Sequence, residues 1–138
     1  MATIFRNGNV IIGDGEIVEK GTVAINGNMI TFIGPTKRFR PSKKDKVFDV
    51  SGKTILPGLI DAHVHLCLDG SPDPMTSMSK DSTPQPTLKA AFHARRTLDA
   101  GVTTGRDMGG RDYVDLAIRD GIESGLLQGP RMICSGRV

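Results

Sequence analysis

The sequence is poor in several things that would have pointed elsewhere. It has no tryptophan, one tyrosine and only two cysteines in 138 residues. Cys67 and Cys134 are far apart in sequence, so no disulfide framework is indicated, and the cytosol is the expected compartment. No apolar run is long enough to cross a bilayer, and the opening Met-Ala-Thr-Ile-Phe-Arg lacks the layout of a secretory signal, so no membrane partner is expected. A net charge of +3 is too small to argue for nucleic acid. The one basic cluster, Lys37 to Lys46, holds six Lys or Arg, but Phe39 is its only aromatic. Without aromatics to stack bases it reads as a solvated loop rather than a phosphate-binding patch. A hydrophobic content of 38% with 17 Gly and 8 Pro fits a loop-rich α/β protein, long enough to bury a core.

Residues 1–56 read as short strands punctuated by turns. Thr3–Arg6 and Val10–Ile12 flank Asn7-Gly8-Asn9, and Thr22–Ile25 and Met29–Ile33 flank Asn26-Gly27-Asn28. Asn-Gly between β-prone runs predicts hairpins, because both turn positions tolerate positive φ. Val47–Val50 and Thr54–Leu56 add two more strands, and together these predict a small antiparallel β unit. Further on, Leu88, Ala91, Phe92, Arg95 and Leu98 fall at helical spacing over 87–100, and Val114, Ala117, Ile118 and Ile122 do so over 112–124. Val102–Gly105 and Arg131–Cys134 are β-prone, so the order strand, helix, strand, helix, strand predicts a parallel sheet with right-handed crossovers. His93 lies off its helix's apolar stripe and reads as an exposed histidine. The aperiodic stretch 67–83 reads as a lid or an unstructured segment beyond the end of a strand.

The chemistry concentrates just before that stretch. In Leu59-Ile60-Asp61-Ala62-His63-Val64-His65-Leu66, the residues Asp61, His63 and His65 share one parity and apolar residues share the other. On a strand the two imidazoles and the carboxylate then project from one face, with an apolar face behind. Two imidazoles so placed suit a divalent metal such as zinc, although His-x-His alone also fits two surface or core histidines.

The segment Pro57-Gly58-Leu59-Ile60-Asp61-Ala62-His63-Val64-His65 closely resembles the entry into the barrel of the amidohydrolase superfamily. Gly101–Asp107 and Gly129-Pro130-Arg131 resemble the second and third barrel strands of its imidazolonepropionase- and prolidase-like branch. The resemblance implies an α/β fold: the first three strands of a (β/α)8 TIM barrel at 57–138, preceded at 1–56 by part of a small antiparallel β-sandwich. It also implies a metal-dependent hydrolase of amide or other C–N bonds, acting on a dipeptide or N-acyl amino acid, a small-molecule substrate. His63 and His65 would be metal ligands. Asp61 would orient a ligand or fill the barrel floor, and Arg106, Asp107 and Ser135 fall near the strand ends that form the mouth, where each would touch substrate or only cap a loop or pair locally. The cofactor would be a divalent metal, zinc before others, with one or two ions in the complete enzyme.

The remaining residues expected by that resemblance are missing. There is no Lys after Lys89, no His after His93 and no Asp after Asp120. A carboxylated lysine, later histidines and a catalytic aspartate therefore cannot come from these 138 residues, and no catalytic residue is assigned among them. The chain is expected to be an incomplete, inactive part of a larger enzyme that forms a homo-oligomer when complete, with the isolated segment self-associating. The alternative is a non-catalytic relative kept as a binding or interaction module.

Overall fold

A computed structural model describes residues 1–82 and 84–137. The chain divides into two compact units, Met1–Pro57 and Gly58–Val138.

The first unit is one five-stranded sheet: β1 (Thr3–Ile11), β2 (Ile17–Asn26), β3 (Met29–Pro35), β4 (Lys46–Asp49) and β5 (Thr54–Ile55). Its order is β3-β2-β1-β4, with β5 also on β1. The second Asn-Gly makes the expected hairpin: Asn26 pairs Met29 across a two-residue turn, with Gly27 at φ 60°.

The first Asn-Gly does not make one. β1 runs straight through Asn7-Gly8, with register shifts on either side of Gly8 and Asn7 left-handed at φ 67°. Here the motif makes bulges, not a turn. Glycine is needed for closeness: a Cβ at Gly8 would stand 3.0 Å from Val50 Cγ2 and 3.1 Å from Lys53 O. The antiparallel expectation also needs correction, because β4 and β5 run parallel to β1 and the sheet is mixed. In-register Phe5 and Phe48 stack across that parallel pair at 5.4 Å. Ile4, Val10, Val23 and Ala24 are the buried apolar residues of the unit, with Thr22 buried among them and bonded to the Thr36 hydroxyl at 2.8 Å.

The second unit is the predicted strand–helix alternation. Three parallel strands, β6 (Leu59–Val64), β7 (Val102–Asp107) and β8 (Arg131–Cys134), lie in that order. A short helix α1 (Pro74–Ser79) and a long one, α2 (Pro84–Asp99), join β6 to β7, and α3 (Val114–Glu123) joins β7 to β8. The stretch expected to be a lid or unstructured therefore contains α1, capped by Asp73, whose carboxylate accepts from Thr76 N at 3.1 Å. Thr83, the last residue of that stretch, lies outside the described residues.

Leu66, Cys67, Ala90, Ala94, Val114, Ile118 and Met132 form the core. Two expectations about faces need correction. On α2 the buried side chains are Pro86, Ala90 and Ala94, whereas Leu88 is 70% exposed and Phe92 57%. Small residues let the helix lie close to its neighbours; Gly129 comes so near that a Cβ there would meet Ala94 Cβ at 3.1 Å. The apolar back of β6 is left open: Ile60 is 72% exposed, and full burial comes only past the strand's end, at Leu66. β6 is an edge strand, and α2 packs on β7.

Candidate metal centre

His63 is the penultimate residue of β6, and His65 is the first residue beyond the strand. Their rings come together, 5.4 Å between centroids and 67° between planes, an edge-to-face arrangement. His65 is half-buried and His63 exposed. His65 Nδ1–H donates to Gly109 O at 2.7 Å. A carbonyl can only accept, so the neutral ring carries its proton on Nδ1, leaving the Nε2 lone pair for a metal. This donor set suits zinc or a similar borderline metal, although two imidazoles are fewer than the three protein ligands of an ordinary catalytic zinc site. Among the described residues no three His, Cys, Asp or Glu side chains stand close enough to share an ion.

The support behind His65 comes from a residue that the sequence placed at the mouth. Asp107 is 1% exposed, and its carboxylate accepts from Leu66 N at 3.0 Å and from Gly109 N at 2.9 Å. One side chain thus ties the residue after His65 to the glycine whose carbonyl takes the His65 proton. Burial pushes the Asp107 carboxyl above its ordinary value, while the two N–H donors pull it back. Asp61 is exposed, and its Oδ1 accepts from His63 N at 3.1 Å. Arg106 and Ser135 are exposed; Ser135 N donates to the main-chain oxygen of Asp107 at 3.0 Å. None of Asp61, Arg106, Asp107 and Ser135 lines the cleft that His65 borders.

Two residues acquire roles that the sequence did not signal. His93, expected to be exposed, is half-buried, and its Nδ1–H donates to Leu66 O at 2.8 Å, fastening α2 to the same strand end. Asp115 is 3% exposed; Oδ2 accepts from Gly136 N at 2.8 Å, while Oδ1 has no partner among the described residues. Its one sequence signal was a carboxylate next to the apolar stripe that starts at Val114. Both thiols are free. Burial raises Cys67, and burial with Asp115 and Asp107 nearby pushes Cys134 up to about 11.

His65 borders a cleft of about 400 Å³ lined by Leu68, Met75, Met78, Arg111 and Arg137 among others. The methionines come from α1.

Residues 54–138 match the model of the Amidohydrolase family. Imidazolonepropionase of Bacillus cereus (strain G9842) is 29% identical, over 64% of this chain and 26% of that protein. Among solved structures, a Xaa-Pro dipeptidase with bound methionine in the active site is 30% identical with a TM-score of 0.84, over all of this chain and 34% of its own. A prolidase complexed with N-methylphosphonate-L-proline is 29% identical with a TM-score of 0.81, over 99% and 32%. The chain therefore spans about a quarter of the curated relatives' length and a third of the structures'. With a match that covers more than half of its residues, the chain belongs to the amidohydrolase family.

Proposed function

We infer that these residues supply the first two metal ligands, His63 and His65, of a zinc-dependent hydrolase of amide bonds, and that Gly58–Val138 is the opening portion of its (β/α)8 barrel. The observation that carries this reading is the pair of edge-to-face imidazoles, one with Nδ1 committed to Gly109 O, at the end of a parallel strand. Amidohydrolases generally use divalent metals, and a zinc ion supplies Lewis acidity that lowers the pKa of water and polarises a carbonyl. Within this chain Gly109 O fixes the ring of His65, and Asp107 fixes Gly109. Leu68, Met75 and Met78 give the neighbouring cleft a dry wall, which strengthens polar interactions within it. A protein of this kind takes small amides, such as dipeptides or N-acyl amino acids, and works in the cytosol as a homo-oligomer.

Zinc titration of the chain tests the reading. Wild type should take up one ion weakly, and His63→Ala or His65→Ala should each weaken uptake more than about tenfold. In a polypeptide carrying the further two thirds present in the relatives, His63→Ala should also abolish amide hydrolysis. Equal zinc uptake by wild type and both variants would overturn the assignment. That result would favour a second reading, a non-catalytic binding module, for which Leu59, Ile60, Leu88 and Phe92 stand exposed.

A further inference from the structure

The cleft beside His65 carries two guanidiniums, Arg111 and Arg137; among the described residues no carboxylate lines it, and Asp112 pairs with Arg111 at 3.2 Å. Arg111 is held from two sides: Nη1 donates to Asp81 O at 3.1 Å and Nε to Asp112 Oδ2 at 3.2 Å. A guanidinium has five N–H donors in a rigid fork, so three remain. The turn that keeps it there is strained, since Asp112 and Tyr113 are consecutive left-handed residues at φ 55° and 58°, and neither is glycine. Strain of this kind persists where surrounding structure imposes it, and it gathers at binding sites.

Arg137 reaches the cleft by another route. Gly110 and Arg137 form a parallel bridge, and Gly110 N donates to Gly136 O at 3.1 Å. The buried Asp115 carboxylate pins the same loop through Gly136 N. Arg137 itself makes no ion pair or side-chain hydrogen bond among the described residues. Leu68, Met75 and Met78 line the same cleft. A cleft of about 400 Å³ is at the small end for organic ligands, roughly 300–1,000 Å³.

We propose that Arg111 and Arg137 form a subsite for the free carboxylate of an apolar N-acyl amino acid or dipeptide, whose side chain packs on Leu68, Met75 and Met78. A planar fork pairs carboxylate and phosphate alike in bidentate fashion, and the apolar lining beside it favours an anion that carries an apolar group over a bare inorganic one. The subsite deepens the hydrolase reading by naming the end of the substrate that is recognised, and it rests on that reading for the reaction, although binding itself needs no metal.

NMR of the ¹⁵N-labelled, zinc-free chain tests it, following the arginine Nε–H signals during titration with N-acetyl-L-methionine, N-acetyl-L-methioninamide or inorganic phosphate. The acid should saturate and shift both Arg111 and Arg137, with the amide at least tenfold weaker. Arg137→Gln, at an exposed position, should weaken the acid about tenfold and leave the amide unchanged; Arg111→Lys, which keeps the charge and loses the fork, should weaken it too. Equal affinity for acid and amide, an acid affinity unchanged by Arg137→Gln, or saturation by phosphate but not by the acid would overturn the subsite. Zinc uptake, measured separately, keeps the two proposals apart. Lost uptake with intact acid selectivity would sink the metal centre alone, and the converse would sink the subsite alone.

Discussion

Replacing Asp107 examines the link between packing and the proposed metal centre. Its two oxygens each take one main-chain N–H, from Leu66 at 3.0 Å and Gly109 at 2.9 Å, at a position 1% exposed. Asp107→Ala leaves both donors buried and unpaired. At about 1–3 kcal/mol for each stranded group, the loss is about 2–6 kcal/mol. Part of this is returned, because burial holds the carboxyl above its ordinary value and an uncharged side chain escapes that desolvation. Asp107→Asn keeps one accepting oxygen and turns an NH₂ toward the second donor, so it should cost about half as much. Against a typical stability of about 5–15 kcal/mol, the alanine variant should unfold at a clearly lower urea concentration, with asparagine between it and wild type. A second measurement separates a general loss of stability from an effect on the site. Gly109 O orients His65, so zinc affinity in the folded asparagine variant should fall about 10–100-fold, as it does when such supporting groups are removed. Urea midpoints that coincide for all three proteins, or asparagine as damaging as alanine, would refute the hydrogen-bond reasoning. Unchanged zinc affinity in Asp107→Asn would refute the link to His65.

Two further predictions concern protonation. With its pKa near 11, Cys134 should be only roughly 0.1% thiolate at pH 8, against about a quarter for a free thiol, so alkylation in the folded chain should be roughly two-hundredfold slower than in urea; similar rates in the two states would contradict the burial. Asp69 is drawn down to about 2 by Ser71 and Ser77, with Ser71 N donating at 3.2 Å and Ser77 Oγ at 2.6 Å. A carboxylate lowered by folding adds stability that is present above pH 3.8 and lost as the pH falls through about 2. The urea midpoint of wild type should therefore exceed that of Asp69→Asn at pH 7, and the gap should close by about pH 2; a gap that ignores pH would count against this.

What the chain shows in one dimension is local periodicity and turn chemistry. Alternation at Asp61, His63 and His65 was visible because a strand's side chains alternate whatever surrounds it, and the rings do meet at 5.4 Å. The order of strands and helices in the second unit was visible for the same reason, as was the hairpin at Gly27. Only the tertiary structure decided which segments come close to which. It turned Asn7-Gly8 into bulges, because residues 50–53 pass against Gly8. It made β4 and β5 parallel to β1, and buried Ala90 and Ala94 in place of Leu88 and Phe92. It drew Asp107 to the Leu66 N–H, gave His93 the Leu66 carbonyl and brought Arg111 and Arg137 to one cleft. Each of these depends on partners 20 to 40 or more positions away, and no repeat or local propensity encodes such a distance. The two histidines that could hold a metal were legible from spacing, whereas the residues that fix their surroundings became so only when the chain had folded.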